Sequence, residues 1–248
     1  MLGRIEGDRV ALLRPLTDEQ FGVIAANERG FMLRRTPETP NVMALWKTDT
    51  VAAKPLCQWP AVPGGRSSPN KKSNFFPITP DGRTLVTTDD APGTPPIIRI
   101  WHRSDDAAPP VEAASFSTST LQHSNSIFAL ALSPDGQRIA VAAVNGLSLW
   151  SLQNDKPMQL WYQQSEWYSV AFSPDGRQVA ASHNDHGTND FVALFNDAGE
   201  CQTQWEFPSA PSDLAFAPDG RHLLTANTNG TVYILHLKDA AKPSDPPK

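Results

Sequence analysis

Three features are scarce in this sequence, and each scarcity excludes a class of protein. Cys57 and Cys201 are the only cysteines among 248 residues, which is too few for a fold held by disulfides and favours the reducing cytoplasm. The formal net charge of −5 gives no electrostatic attraction for nucleic acid. The sequence has neither a run of about 18 apolar residues nor a charged leader with an apolar core, so we expect no membrane span and no signal peptide.

The motifs of common enzyme classes are missing as well. The sequence contains no Gly-x-Ser-x-Gly, His-Glu-x-x-His, Cys-x-x-Cys, Gly-x-Gly-x-x-Gly or P-loop. His183 and His186, with Asp190 nearby, come closest to a metal cluster. Because no regular element is predicted to hold this pair, a polar connection between strands is the favoured interpretation. We therefore expect a protein that is not an enzyme and that holds no metal and no cofactor.

A short turn sequence recurs along the chain. In Ser173-Pro174-Asp175-Gly176-Arg177, proline fits the first corner of a type I turn, and glycine takes the left-handed conformation that closes the hairpin. Near copies stand at 79–83, 133–137 and 217–221, and the four aspartates are 54, 40 and 44 residues apart. We expect tight turns closed by Gly82, Gly136, Gly176 and Gly220.

Large and small residues alternate in the strands that precede these turns. Tyr168, Val170 and Phe172 are separated by Ser169 and Ala171. A sheet with one wet face would place polar residues at the second set of positions, so we expect sheets covered on both faces. The same alternation predicts buried strands over 127–132, 167–172 and 212–216. A repeat of about 40–45 residues that carries short strands is typical of a β-propeller.

About five such units fill residues 1–238, and the Pro-, Lys- and Asp-rich stretch 239–248 is expected to be a disordered tail. The fifth unit lacks a fourth strand. Residues 1–6 could supply that strand and close the ring; alternatively, the chain belongs to a longer array or meets a partner's blades. The first unit is predicted to have strands at Val10–Arg14, Phe21–Ala26, Val42–Trp46 and Leu56–Trp59, with Asn27–Pro40 as a long polar connection.

Tryptophans end the predicted third strands of three units. They are Trp46, Trp101 and Trp150, and His123 stands a few residues before the strand that begins at Ile127. In these features the chain resembles the WD-repeat propellers over roughly residues 10–237. The aspartate that this family carries after each tryptophan is replaced by Lys47, His102 or Ser151. The family's His–Ser/Thr–Asp–Trp network is therefore expected to be partial, with His123 and Trp150 as its clear candidates.

The resemblance implies an all-β propeller of four-stranded antiparallel blades that serves as a protein-interaction scaffold in the cytoplasm. A ring of this kind presents its loops on one face as a binding surface. The residues selected for contact with a protein partner are Arg34, Arg35, Trp167, His183 and His186. The loops selected are Asn27–Pro40, Pro60–Lys72, Ser117–Asn125, Gln163–Glu166 and His183–Asp190.

Three alternatives stay open. Trp167, with Trp161 and Tyr168, could instead pack between blades, which is the interpretation that the alternation favours. The chain could be a propeller enzyme of the lactonase-like hydrolase or oxidoreductase type, with a site assembled from scattered loops. It could also be a sensor or regulatory module derived from a larger signalling protein.

Overall fold

The computed structural model describes residues 2–6, 9–14, 23–26, 31–35, 42–47, 56–60, 77–89, 95–105, 108–117, 127–153, 156–184 and 190–237. For residues 2–47 the description covers the backbone, and Leu45 alone among the side chains. The described strands are β1 (Leu2–Glu6), β2 (Arg9–Arg14), β3 (Val23–Ala26), β4 (Phe31–Arg35), β5 (Val42–Lys47), β6 (Cys57–Pro60), β7 (Thr84–Asp89), β8 (Ile97–His102), β9 (Val111–Ser117), β10 (Ile127–Leu132), β11 (Arg138–Ala143), β12 (Gly146–Ser151), β13 (Met158–Gln164), β14 (Trp167–Phe172), β15 (Val179–His183), β16 (Phe191–Phe195), β17 (Cys201–Glu206), β18 (Pro211–Phe216), β19 (His222–Asn227) and β20 (Val232–His236).

The strands form six antiparallel sheets in which each strand pairs with its neighbour in sequence. Sheet I is the β1–β2 hairpin, sheet II is β3–β6, sheet III is β7–β9, sheet IV is β10–β13, sheet V is β14–β17 and sheet VI is β18–β20. An isolated bridge between Ile78 and Leu85 stands where a first strand of sheet III would run. The strands β10, β14 and β18 have, within one residue, the bounds predicted for 127–132, 167–172 and 212–216.

The recurring turns have the geometry that their sequence predicts. Gly82, Gly136, Gly176 and Gly220 have φ between 67° and 73°. The Asp175 carboxylate accepts hydrogen bonds from the Ser173 hydroxyl at 2.6 Å and from the Arg177 backbone N–H at 3.0 Å. Asp81 and Asp135 accept equivalent bonds from Thr79 and Ser133. Each of these hairpins is therefore stabilised by hydrogen bonds between residues that are close together in the sequence.

Sheets III to VI pack face to face in chain order, so each has a near face toward the preceding sheet and a far face toward the following one. The far face of sheet IV is rich in alanine, and the near face of sheet V that covers it carries bulkier residues. Ala129, Ala140, Ala142, Leu147 and Leu149 of sheet IV meet Trp167, Val170, Val179 and Phe195 of sheet V. Ala180, Val192 and Leu194 of sheet V meet Leu214 and Leu223 of sheet VI. The predicted covering of both faces is confirmed for sheets IV and V.

Sheet VI corrects that prediction at its far face. Leu214 of β18 is buried, but Ser212, Asp213 and Ala215 are exposed. The reason is that no sheet among the described residues follows sheet VI and covers this side. The alternation of residue sizes indicates that a strand is suited to burial on both faces, but it does not say that a neighbour is present.

The first unit also departs from the prediction. Residues 31–35 form β4, which pairs with both β3 and β5, so Asn27–Pro40 is not one long loop. The first three residues of β4, Phe-Met-Leu, are apolar and fit a central strand, whereas the prediction gave more weight to Arg34 and Arg35. β2 pairs with β1 rather than with β3. Residues 2–6 are therefore engaged in sheet I and do not pair with β20 as a fourth strand of sheet VI.

Other predictions are settled in part. Cys57 and Cys201 are both free, and they lie in the last strands of sheets II and V, in different sheets. No helix long and apolar enough to cross a membrane occurs in the part of the chain that the structure describes. The predicted tail 239–248, His123, His186 and most of Pro60–Lys72 and Ser117–Asn125 lie outside the described residues.

Candidate interaction surface

The strand order gives each sheet two distinct ends. The Pro-Asp-Gly turns join first to second strands, and we call their side the turn end. The opposite side, the loop end, carries the hairpins between second and third strands and the connections that lead to the next sheet. Its described parts include 144–145, 165–166, 207–210 and 228–231. The first strands β10, β14 and β18 lie beside one another and begin at the loop end.

A bulge interrupts each of these first strands at an equivalent position. The pairing skips one residue between Ile127 and Ala129, between Trp167 and Ser169, and between Pro211 and Asp213. The extra residues are Phe128, Tyr168 and Ser212. A bulge re-aims the side chain of its extra residue and is common beside functional sites.

The two aromatic bulge residues stack on each other across sheets IV and V. The ring centroids of Phe128 and Tyr168 are 4.5 Å apart, and the ring planes differ by 7°. Both side chains are half-buried, so part of the pair remains open at the loop end. Large, rigid aromatic side chains are the residues that most often anchor protein interfaces.

Hydrogen bonds hold Tyr168 of this pair and a second tyrosine, Tyr162, in place. The Tyr168 hydroxyl donates to Glu166 Oε1 at 2.6 Å, and the Tyr162 hydroxyl donates to the Asn145 carbonyl at 2.6 Å. Burial raises the pKa of Tyr168 well above its ordinary value, and the Glu166 carboxylate raises it further. The phenol therefore stays protonated at neutral pH and acts as a fixed donor. Tyr162 and Glu166 also line a small cleft with residues 144–145 and 164–165.

Among the described residues of sheets III to VI, acidic side chains lie at both ends, but lysine and arginine are missing from the loop end. Glu166, Asp190, Glu206 and Asp213 lie at the loop end, whereas the lysine and arginine residues described in these sheets lie at the turn end or, for Arg99, in mid-strand beside Glu112. The turn-end set is Arg83, Arg103, Arg138, Lys156, Arg177 and Arg221. The described loop end of sheets III to VI therefore carries carboxylates but no lysine or arginine.

Two of the residues selected from the sequence lie in the core beneath this surface. Trp167 is 4% exposed and makes edge contacts with His183, Phe191 and Phe195 at 5.6–5.8 Å between ring centroids. His183 ends β15, is buried, and stacks on Phe191 at 4.4 Å. The structure corrects the selection of Trp167 and His183 as contact residues, because packing between sheets IV and V encloses them. Trp161 is buried in the same cluster.

The structure describes the backbone of the other two selected arginines and the side chains of two repeat tryptophans. Arg34 and Arg35 end β4, which puts their backbone at the loop end of sheet II. Trp150 is buried and donates through Nε1 to Ser148 Oγ at 2.9 Å, and Trp101 donates to Thr87 Oγ1 at 2.8 Å. The Trp101 bond joins β8 to β7, whereas the Trp150 bond stays within β12.

Sequence families and solved structures agree with this architecture. The family described as WD40 (WD domain, G-beta repeat) matches residues 115–147 and 199–235. The first segment covers β10 and β11, and the second covers β17 and nearly all of sheet VI. Two segments of the chain thus match the WD repeat, and the fold is that of a β-propeller. No curated protein sequence matches this chain.

Two solved structures are similar to this chain. One is the β-propeller domain of Cps50 (Swd1) from Myceliophteria thermophila, with 12% identity and a TM-score of 0.65 over 91% of this chain and 68% of that one. Another is a putative 6-phosphogluconolactonase from Bacteroides uniformis ATCC 8492, with 15% identity and a TM-score of 0.58 over 86% of this chain and 66% of that one. At these identities the likeness concerns the fold alone. This chain spans about two thirds of the length of each.

Sequence analysis missed the Phe128–Tyr168 pair, although the repeat contains a pattern that predicts it. Phe128 and Tyr168 each stand seven residues before a turn aspartate, Asp135 or Asp175. Two aromatic residues at one repeat position in adjacent units are predicted to be neighbours, because equivalent positions of adjacent blades lie side by side.

Proposed function

We propose that this chain is a non-catalytic, cytoplasmic scaffold that binds a protein partner at the loop end of sheets IV and V. The observation that carries the proposal is the stacked, half-exposed pair of Phe128 and Tyr168 at the bulges of two adjacent first strands. The pair lies on strands of sheets IV and V, which are covered on both faces. Its side chains are therefore held rigidly and lose little conformational freedom on binding. The WD-repeat fold supports a protein-interaction role in general.

The acidic loop end favours a partner segment that carries lysine or arginine. The Glu166 carboxylate lies beside the aromatic pair, and Asp213 is close enough to accept a hydrogen bond from Ser169 Oγ at 3.2 Å. A guanidinium group stacks on aromatic rings and pairs with carboxylates, so it matches both features. The free thiols of Cys57 and Cys201 fit a reducing compartment.

The hydrolase alternative has less support. The likeness to a putative 6-phosphogluconolactonase concerns the fold. Tyr168, whose raised pKa keeps its proton in place, is unsuited to act as a general base at neutral pH. Within the described ranges no three His, Cys, Asp or Glu side chains are grouped to hold a metal.

The test compares capture of partners by the intact chain and by matched variants. Phe128→Ser and Tyr168→Ser each remove half of the aromatic pair, and Tyr233→Ser removes an exposed tyrosine from sheet VI as the control. We expect one protein to be captured by the wild type and by Tyr233→Ser, and to be lost with both pair variants. Glu166→Gln should weaken that capture most at low salt.

Circular dichroism and melting curves establish that each variant is folded before the comparison. If all four variants capture the same proteins as the wild type, the loop end of sheets IV and V is not the binding surface. If only Tyr233→Ser loses the partner, binding lies on sheet VI and the proposal is wrong.

A further inference from the structure

We propose that Asn229 is a site of spontaneous deamidation, at which its side-chain amide becomes a carboxylate. The sequence contains two Asn-Gly pairs, Asn145-Gly146 and Asn229-Gly230. Both stand at the loop end, in hairpins between a second and a third strand. Glycine has no side chain that would hinder its backbone nitrogen, so this pair is chemically suited to the reaction. The surroundings of the two pairs differ, and those of Asn229 favour it.

The reaction needs no reagent other than water. The backbone nitrogen of Gly230 loses its proton to solvent and attacks Cγ of Asn229, and the side-chain nitrogen leaves as ammonia. Water then opens one of the two carbonyl–nitrogen bonds of the cyclic imide. Opening at the side-chain carbonyl gives aspartate, whereas opening at the main-chain carbonyl gives isoaspartate, in which the chain continues through the side chain. One water is consumed for each ammonia released, and nothing is oxidised or reduced.

Thr231 prepares the Asn229 amide for this attack. Its backbone N–H donates to Asn229 Oδ1 at 3.0 Å, and its hydroxyl donates to the same oxygen at 2.7 Å. Negative charge develops on Oδ1 when a nitrogen adds to Cγ, and donors that already point at this oxygen stabilise the charge. The hairpin thus carries its own groups for stabilising the transition state.

Gly230 is free to approach the amide once the hairpin opens locally. Its backbone N–H donates to the Asn227 carbonyl at 2.9 Å, and this bond has to break first. Gly230 is exposed, and a Cβ added to it would meet nothing within 4 Å. Among the described strands β20 pairs with β19 alone. An edge hairpin of this kind opens at a small cost in free energy.

The Asn145-Gly146 pair is held closed by comparison. Gly146 is buried, and it pairs with Ala143 on one side and with Gln164 on the other. The Tyr162 ring lies so close that a Cβ added to Gly146 would overlap it. The Tyr162 hydroxyl also donates to the Asn145 carbonyl at 2.6 Å. Attack by the Gly146 nitrogen would therefore require β12 to lose its pairing on both sides.

Conversion of Asn229 changes the charge and the backbone of sheet VI. Either product adds a carboxylate to the loop end, where the described residues of sheets III to VI include no lysine or arginine to pair with it. Isoaspartate also lengthens the backbone between Asn227 and Thr231, which are joined by an N–H to carbonyl bond of 2.9 Å. We therefore expect the aged protein to melt at a lower temperature than the fresh protein.

Peptide mapping by mass spectrometry tests the proposal on the purified chain. The protein is kept folded in mildly alkaline buffer, and amide loss at both asparagines is followed in the same digests. We expect Asn229 to lose its amide about 10-fold faster than Asn145, because the two hairpins differ in the free energy of opening. Aspartate and isoaspartate should appear at position 229, with ammonia released in equal amount.

Substitutions at Thr231 test the activation of the amide. Thr231→Val lacks the hydroxyl donor and should slow amide loss at Asn229 about 5-fold, and Thr231→Ser should restore the rate. Thr228→Val, which changes an exposed threonine of the same hairpin, is the control and should have no such effect. Hydrogen exchange of the Gly230 amide in each variant separates a change in hairpin opening from a change in activation.

Tyr162→Ala provides the converse test. It uncovers Gly146, so amide loss at Asn145 should accelerate while the rate at Asn229 stays the same. Equal rates at the two asparagines of the wild type, or faster loss at Asn145, would show that the hairpin of sheet VI does not select Asn229. A rate at Asn229 that Thr231→Val leaves unchanged, with unchanged exchange at Gly230, would overturn the role of the Thr231 hydroxyl.

Discussion

Sheets V and VI share one strand register, yet their far faces are in opposite environments. Val192 and Leu194 of sheet V are enclosed by sheet VI, whereas Val232 and Ile234 at the equivalent positions of sheet VI are exposed. The difference shows that in a repeat array the burial of a residue is decided by the neighbouring unit as well as by the residue's own strand. Pairs of matched substitutions in the two sheets can therefore separate the contribution of a neighbour from that of the strand.

The largest expected contrast is between Leu194→Ala and Ile234→Ala. Leu194 is enclosed, so its truncation leaves a cavity and should lower the free energy of unfolding by about 3 kcal/mol. Ile234 already contacts solvent, and its truncation should change the free energy of unfolding by about 0.5 kcal/mol or less. Urea denaturation of the purified chain measures both. Equal losses for the two variants would show that the far face of sheet VI is covered in solution.

Two hairpin glycines provide the next contrast. Gly199, in the turn between β16 and β17, and Gly230, in the turn between β19 and β20, have φ of 79° and 82°. A Cβ added at Gly199 would lie 2.7 Å from the Trp161 ring, whereas one added at Gly230 would meet nothing within 4 Å. Gly230→Ala should therefore cost only the backbone strain, about 1 kcal/mol. Gly199→Ala should cost about 2–3 kcal/mol, because overpacking adds to the strain.

Melting temperatures of the two alanine variants, with the wild type as reference, test this difference. The Trp161 indole is a rigid neighbour that cannot move aside without disturbing Phe195, whose ring centroid is 5.6 Å away. If Gly199→Ala is no more destabilising than Gly230→Ala, the packing of Trp161 against the turn between β16 and β17 is looser than the structure shows.

Local chemistry explains why much of the fold could be predicted from the sequence. The turns depend on Pro, Asp and Gly within five residues, and the strands before them alternate large and small residues. For this reason the turns and the first strands of sheets IV to VI could be predicted with nearly correct bounds. Phe31–Arg35 was missed because two arginines at its end outweighed three apolar residues in a segment without the turn motif. Residues 31–35 form a strand because they pair with β3 and β5, and this pairing cannot be read from the segment itself.

The candidate site was harder to predict for a related reason. Trp167 and His183 stand beside connections in the sequence, and only the packing of sheet V against sheet IV shows that they are buried. The Phe128–Tyr168 stack depends on bulges in two strands 40 residues apart. The open far face of sheet VI cannot be recognised from its own residues, since they match those of covered faces.

The smallest expected contrast lies in the turns themselves. In sheet V, Ser173 Oγ donates to Asp175 and accepts the Gln178 backbone N–H at 2.9 Å. Ala217 occupies the equivalent position in sheet VI, and there Asp219 instead bonds to His222 Nδ1 at 2.9 Å. Ser173→Ala should cost about 1 kcal/mol at pH 7, and Ala217→Ser should gain about 0.5 kcal/mol or less. Matched urea titrations of the two variants measure both effects.

The pH dependence of the Ser173→Ala effect identifies the bond to the carboxylate as its source. Burial alone would raise the pKa of Asp175, but hydrogen bonds from Ser173 and from the Arg177 N–H outweigh it and lower the pKa below its ordinary value. A lowered pKa in the folded state stabilises the protein above the unfolded-state pKa of about 3.9, and this stabilisation disappears as pH falls through the folded-state value. The difference between wild type and Ser173→Ala should therefore be larger at pH 6 than at pH 3. If the difference in unfolding free energy between wild type and Ser173→Ala does not change with pH, Ser173 stabilises the turn through Gln178 alone. The carboxylate bond would then make the turn of sheet V no more stable than the alanine-containing turn of sheet VI.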